Sequence, residues 1–533
     1  RSETTRRLAP TLVNVVDLKL FETTNSSTLS QGLNFQPGVR VETNCQNCGF
    51  QQVRINGLDG PYTQILIDSR PVFSALSGVY GLEQIPASMI ERVEVMRGGG
   101  SALFGSSAIA GTINIITKEP LRNSGQLSHT ITSIGGSSAF DNNTSLNVSL
   151  VTDDHRAGLY IFGQNRYRSG YDYDGDGFTE LPKLKNQTVG FRSYLKTSTY
   201  SKLTFEYHHM QEFRRGGDML NRPPHEAHIA EQLQHSIDGG SLKFDYFSPD
   251  EKNRLSVFAS AANTDRDSYY GPGNDPLKAY GKTTDLTAMG GAQYVHTFDK
   301  CFFMPSDLTA GLEYNRDRLK DNMWGYNRHT DQTVNIYSAF LQNEWKNDRW
   351  GILIGGRLDK HNMVDNVIFS PRANLRFNPT QNINLRLSYS SGFRAPQAFD
   401  EDMHIENVGG TVAMIERAKD LKEEKSQSFS VSADMYHRFG AFQTNLLIEG
   451  FYTRLTDVFV LGKPYDRGDG ILVKTRSNGP GAKVMGLTLE GKVAYLSILQ
   501  IQAGLTLQRT RYDEPHKWHD DAPAEKKIFR TPD

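Results

Sequence analysis

Long apolar runs are missing from this 533-residue chain. No stretch approaches the roughly 18 consecutive apolar residues of a membrane-spanning helix, and no signal peptide opens the chain at Arg1, which suits a mature or trimmed form. Cysteine is nearly absent too: Cys45, Cys48 and Cys301 are the complete set of 3, which excludes a disulfide-stapled scaffold and leaves room for one bridge and one odd thiol. Charge imbalance is also lacking. With 59 basic and 60 acidic residues and a net charge of -1, no global field recruits nucleic acid or an acidic partner. Nor is there a nucleophile elbow, a zinc-protease helix motif or a dinucleotide loop, so nothing marks the chain as an enzyme.

What is present is an unusual pairing. Apolar residues make up only 37% and mean hydropathy is -0.52, yet the chain carries 23 Tyr and 28 Phe. Many large rings in a polar chain favour strands with one wet face. The length exceeds the roughly 250 to 300 residues at which one hydrophobic core stops growing, so the chain either divides into domains or closes a very large sheet.

Two compositional regimes meet near residue 122, dividing the chain into 1–122 and 123–533. The first mixes short strands, glycine turns and one short helix, expected in "LEQIPASMIERVEV". The second repeats strand-length segments of strict alternation. Leu203, Phe205 and Tyr207 oppose Lys202, Thr204, Glu206 and His208; Ile383, Leu385, Leu387 and Tyr389 oppose Asn384, Arg386 and Ser388; Ile501, Ala503, Leu505 and Leu507 oppose Gln502, Thr506 and Gln508. Such alternation means half-buried strands, and about sixteen of them mean a large antiparallel sheet.

The connections alternate as well. Tight turns such as those around Asp154 and Asp250 exchange with long polar ones at 168–186, 213–236, 264–284, 393–424 and 461–483. Long loops without core residues are uncommon in compact soluble domains. Short turns on one side and long loops on the other are the pattern of an outer-membrane barrel, whose outward apolar row needs lipid and whose closed sheet satisfies every backbone group there.

The first 122 residues resemble, segment by segment, the plug domain of TonB-dependent outer-membrane transporters. The resemblance rests on "LSQGLNFQPGVRV" (29–41), "VRINGLDG" (53–60), "QILIDSRPVF" (64–73) and "QIPASMIERVEVMRGGGSALFGSSAIAGTINIITK" (84–118). Further on, "SSGFRAPQAFDEDMHI" (390–405) and "LKEEKSQSFSVSADMY" (421–436) look like that family's aromatic-Arg-Ala-Pro box and a strand start. The resemblance implies an all-β dominated fold: a transmembrane antiparallel β-barrel, 22-stranded in the family pattern, with an N-terminal mixed α/β plug in its lumen. It also implies that a coupling segment and closing strands lie beyond this sequence. The implied activity is active import of a scarce nutrient across the bacterial outer membrane, first a ferric siderophore or related iron chelate, with cobalamin or haem as alternatives. The implied partners are TonB with its inner-membrane complex, the ligand, outer-membrane lipid and, for some members, a surface lipoprotein, with no nucleic acid.

In the resemblance, two plug loops rise to touch the ligand. Here they fall on 44–50 and 73–81, making Asn44, Cys45, Gln46, Asn47, Cys48, Phe50, Phe73, Ser74 and Tyr80 the candidate ligand contacts. Arg54, Arg92, Glu94 and Arg97 are the candidate latch between plug and wall, since charge along a strand edge can pair with the polar interior of a barrel.

Three readings of Cys45 and Cys48 stand. A disulfide clip stiffening the loop comes first, in the oxidising compartment that the resemblance implies. Soft-metal binding needs more ligands than two thiolates, and no partner pair of Cys or His is readable nearby. A redox site needs a thioredoxin-like context that the Asn- and Gly-rich flanks do not supply.

Elsewhere, "YDYDGDGFTE" staggers Asp172, Asp174 and Asp176 before Gly177, with Glu180 after. This suits a calcium loop although Lys183 stands where an EF-hand has its bidentate Glu. No cofactor is required, and structural calcium is the one addition that the sequence suggests. His225, His228 and His235 are further metal candidates. His404 follows the "FRAP" box, but "IENVGG" does not match the second box of haem transporters.

Overall fold

A computed structural model describes residues 8–45, 47–70, 83, 85–98, 105, 108–272, 279–408, 411–517 and 523–527. The N-terminal region forms a four-stranded mixed sheet in which β1 (Val13–Asp17), β5 (Ile90–Arg97), β6 (Gly111–Thr117) and β4 (Thr63–Ile67) lie side by side in that order. β5 runs antiparallel to both neighbours, while β4 and β6 are parallel. β6, "GTINIIT", is buried along nearly its whole length, as expected of a strand covered on both faces. Beside the sheet stand, among the described residues, a hairpin of β2 (Val39–Cys45) and β3 (Phe50–Ile55) and the short helices α1 (Leu18–Thr23) and α2 (Leu29–Leu33). Asp17 caps α1 by accepting the Leu20 backbone N–H at 2.9 Å, satisfying one of its orphan donors.

The helix expected within "LEQIPASMIERVEV" does not run through the segment: Glu83 is helical, Leu82 and Gln84 lie outside the described residues, and the chain has left the helix by Ile85. Ala87–Met89 make one tight 3-10 turn behind Pro86, and Ile90 begins β5. The β-branched Ile90, Val93 and Val95 are buried in the sheet core, and packing against β6 outweighs the weak helical preference of the segment.

Among the described residues, the second region builds an antiparallel wall of eighteen strands whose neighbour order closes on itself, from Ser124–Ser133 round to Leu499–His516 and the three-residue strand Glu525–Lys527. The plug sheet ends at Thr117 and the first wall strand begins at Ser124. Burial in the wall is inverted relative to a soluble protein. Leu385, Leu387, Ile501, Leu505 and Leu507 are exposed, whereas Asn384, Arg386, Arg166, Arg214, Arg266 and Arg376 are buried. An apolar outside around a polar inside is the arrangement that lipid selects. The plug fills that inside, and its core residues Val93, Ile113 and Ile115 share one apolar cluster with Tyr160, Phe162, Phe451 and Tyr512 of the wall.

On one rim the turns are tight, as between Ser198 and Ser201 or Phe439 and Phe442. On the other, strands outrun their expected ends: Ser201–Gly217 and Ile229–Phe247 convert most of 213–236 into paired ladder, leaving 218–228 as the connection. Pairing above the apolar band satisfies backbone groups that a loop would leave to water. Two of the remaining long connections, 395–423 and 457–481, are not structureless. Thr411–Arg417 pairs in parallel with Leu472–Asn478, so the two connections fold into one five-stranded sheet on the long-loop rim.

Candidate functional site

The β2–β3 hairpin points its tip at that rim. Its turn is drawn tight by Gly49, at φ +67, whose N–H donates to the Cys45 carbonyl at 3.0 Å. The wall holds the tip in two ways. Arg214, fully buried, donates from Nη1 to the Gly49 carbonyl at 3.2 Å. Gly216 lets the backbone approach, because a Cβ there would overlap the Asn47 carbonyl.

Fixed this way, the two tip cysteines are not joined to each other, in place of the disulfide clip expected from the sequence. Their sulfurs have partners outside the hairpin. Cys45 Sγ donates to Glu231 Oε2 at 3.1 Å, and Cys48 Sγ lies 3.6 Å from His404 Nε2. His404 Nε2 is in turn 3.5 Å from Glu231 Oε2. Glu231 comes from the wall strand Ile229–Phe247 and His404 from the 395–423 connection, so three separate bodies meet here. Cys48 and Glu231 are buried, and His404 stacks edge-on against Tyr270 at 5.4 Å between centroids. The hydrogen bond from Cys48 lowers the Cys45 thiol to about 7, with burial and Glu231 opposing and His404 assisting. Burial disfavours the His404 imidazolium, yet hydrogen bonding to Cys45 and Glu231 outweighs it and raises the ring to about 10. One ligand atom from each of the four residues lies within 4.8 Å of all the others, a grouping able to hold a metal ion.

The remaining candidates separate. Gln46, Phe73, Ser74 and Tyr80 lie outside the described residues, as do the side chains of Asn44 and Phe50, while Asn47 is half-buried at the tip. Of the latch candidates, Arg97 crosses from plug to wall, pairing through Nη2 with Glu449 at 2.8 Å and Glu490 at 2.9 Å. Arg92 pairs with Glu94 two residues on at 2.9 Å, and Arg54 pairs with Glu42 and Asp59, all within the plug. A larger plug-to-wall junction was not read from the sequence. Glu83 of the plug meets Arg214 at 2.8 Å, Arg168 at 3.3 Å and Arg166 at 3.5 Å. Burial alone would raise the Glu83 carboxyl, but these three guanidinia hold it well below the usual range. Asp68 adds a bond to Arg192 at 2.6 Å. The readable signal was arginine recurring on the inward face of strands, at 166 and 168 and again at 214.

Asp172, Asp174, Asp176 and Glu180 do converge, each offering a ligand atom within 4.8 Å of the rest. Their carboxylates also organise the loop itself, Asp172 accepting from the N–H of Gly175 at 2.7 Å and of Gly177 at 2.9 Å. The histidines do not converge: His225 faces Tyr280, His228 faces Asp218 and His235 faces Glu212.

Residues 113–533 match the family described as TonB dependent receptor-like, beta-barrel, and residues 5–112 the TonB-dependent Receptor Plug Domain. The chain belongs to the TonB-dependent receptor family. As such a receptor it is an outer-membrane β-barrel protein, in keeping with its apolar outer face. The vitamin B12 transporter of Vibrio vulnificus is 23% identical over 403 residues, covering 72% of this chain and 60% of the transporter. The iron-regulated outer membrane virulence protein of Vibrio cholerae is 26% identical over 410 residues, covering 73% of this chain and 58% of that protein. This receptor chain thus spans about three-fifths of the length of those curated relatives. A siderophore receptor of Pseudomonas aeruginosa superposes with a TM-score of 0.75 at 17% identity, over 94% of this chain and 85% of that one, showing a shared fold.

Proposed function

We propose that this receptor is an active importer, energised through TonB, that carries an iron chelate across the outer membrane. The observation that supports it most is a folded plug tied across the lumen by buried ion pairs at Glu83 and Arg97. A passive pore has no use for such a stopper, whereas an importer needs one that a pull can release. In this reading the ligand lodges between the long connections and the plug tips. Its binding shifts the plug's equilibrium toward exposing a coupling segment, and traction then breaks the Arg97 and Glu83 junctions in turn. Iron chelates come first because siderophore and iron-regulated receptors recur among the relatives and fold neighbours.

Cobalamin is the second reading, favoured by the similarity to a vitamin B12 transporter over 72% of the chain. A calcium ion held by Asp172, Asp174, Asp176 and Glu180 would stiffen the outer loop in either case. Haem ranks last, because the His404 nitrogen that would ligate it is turned toward Cys48 and Glu231.

The test is calorimetric binding on purified receptor with ferric siderophores, cyanocobalamin and haem, each with and without calcium, followed by uptake in cells with and without a working TonB. Tight binding and TonB-dependent uptake of a ferric chelate is the expected result. Calcium-dependent binding of cyanocobalamin alone would replace the iron reading with the second.

A further inference from the structure

The junction of Cys45, Cys48, Glu231 and His404 is built from donors of unequal softness: two sulfurs, an imidazole nitrogen and a carboxylate oxygen. Hard cations such as calcium, magnesium or ferric iron prefer all-oxygen surroundings, so two sulfurs argue against them. Zinc accepts this mixture, taking sulfur at about 2.3 Å and nitrogen or oxygen at about 2.0 to 2.2 Å. Donors at the corners of such a tetrahedron stand roughly 3.3 to 3.8 Å apart. The contacts here are 3.1 Å from Cys45 to Glu231, 3.6 Å from Cys48 to His404 and 3.5 Å from His404 to Glu231. Three of the six separations therefore lie close to those that one ion would impose, and the other three are within 4.8 Å.

Burial and support point the same way. Cys48 has no exposed surface and the Glu231 side chain only 4%, so acidic groups are gathered where water cannot solvate them well. A buried carboxylate is tolerated when it is paired, as Glu231 is with His404 here, or when it coordinates a metal. The donors are also held in place by their surroundings. Arg214 anchors the hairpin turn through Gly49, Gly216 admits the Asn47 backbone, Glu231 lies on a paired strand, and Tyr270 packs on the His404 ring. Preorganised support of this kind is what a ligand set requires.

We infer that Cys45, Cys48, Glu231 and His404 bind one thiophilic divalent metal ion of zinc's class, linking the plug hairpin to the barrel wall and the 395–423 connection. Binding releases to solvent the protons carried by the two thiols and by His404 Nε2, so that two thiolates, a neutral imidazole and the Glu231 carboxylate face the ion. The inference is independent of which nutrient is imported. It is read on purified protein, whereas import is read in cells, so the two can fail separately.

The experiment is zinc titration of reduced, detergent-solubilised receptor against a chromophoric chelator, with cobalt substitution as a spectroscopic reporter. One zinc per chain is expected. Cobalt should give a thiolate charge-transfer band and the intense visible bands of a four-coordinate ion. Cys48→Ser should weaken zinc by about 100-fold and lower the charge-transfer band by about half, and Cys45→Ser/Cys48→Ser should abolish the band. His404→Ala, altered on the outer connection, and Glu231→Gln, which keeps the side-chain shape, should each weaken zinc and shift the visible bands. Cys301→Ser should leave both readouts unchanged. Absence of zinc binding by the reduced protein, or equal binding by the Cys45→Ser/Cys48→Ser double variant, would overturn the proposal. So would zinc and cobalt readouts that survive both His404→Ala and Glu231→Gln unaltered.

Discussion

Gly216 shows how much one missing Cβ can decide. It sits on a wall strand where alternation alone asks for any small residue, yet a methyl there would collide with the Asn47 carbonyl of the plug tip. Gly216→Val is expected to push the hairpin off the wall and break the contacts of Cys45 with Glu231 and of Cys48 with His404. Maleimide labelling of Cys48 in the native protein should then rise at least about tenfold, since burial, now complete, limits reagent access. Labelling as slow as in the parent protein would refute this role for Gly216. The two cysteines themselves stood out in the sequence. Their partners did not, because Glu231 is 186 residues from Cys45 and His404 is 356 from Cys48. Nothing local marks a glutamate near the start of one strand and a histidine in a distant connection as neighbours. A disulfide came first among the readings available to two cysteines considered alone.

Between elements, β5 and the segment before it carry two of the charged junctions that bind plug to wall. Glu83 faces three buried arginines, and Glu83→Gln removes their shared counter-charge while Arg166 keeps Asp141 and Arg214 keeps Glu212, a loss of roughly 1.5–3 kcal/mol, the worth of hydrogen bonds to a charged group. The checkable consequence is protease cleavage of the plug at a lower urea concentration, with the barrel still folded. Arg97→Met should act similarly on the opposite side by stranding Glu449 and Glu490 together. If Arg97→Met and Glu83→Gln leave both plug retention and TonB-driven uptake at parental levels, the junctions are not a latch. By contrast, Arg92→Gln should cost about 1 kcal/mol or less in the same assay, because its pair with Glu94 is partly exposed. The sequence pointed to the strand "IERVEVMR" and its charges but could not rank them. That Arg97 reaches Glu449 and Glu490 follows from the placement of β5 against strands hundreds of residues later.

For the whole molecule, the inverted burial of the wall gives a direct test of orientation. Leu387 is exposed and lies within the span between a tight turn and the outer rim, while its neighbour Arg386 is buried inside. Leu387→Arg is expected to cost about 2–4 kcal/mol of barrel stability in lipid if it lies near the bilayer midplane, read as a lower denaturant midpoint for the folded barrel in vesicles. Arg386→Leu should instead perturb the lumen, where Arg386 lies within 3.9 Å of Asp434. Equal, negligible effects from Leu387→Arg and from a polar change on the inward face would mean that the outer surface does not contact lipid.

Alternation with period two, tight turns exchanging with long connections, and the plug-like segments before residue 122 by themselves determined a large antiparallel barrel around a mixed plug. Those features are local, set by which face of a strand meets lipid or lumen, and a one-residue slip would reverse them. Only the tertiary structure decided which charges meet across the lumen, how far the strands climb above the membrane, and that Cys45 and Cys48 face Glu231 and His404. Those outcomes depend on closing the sheet around the plug, which brings together residues whose separation along the chain carries no periodic trace.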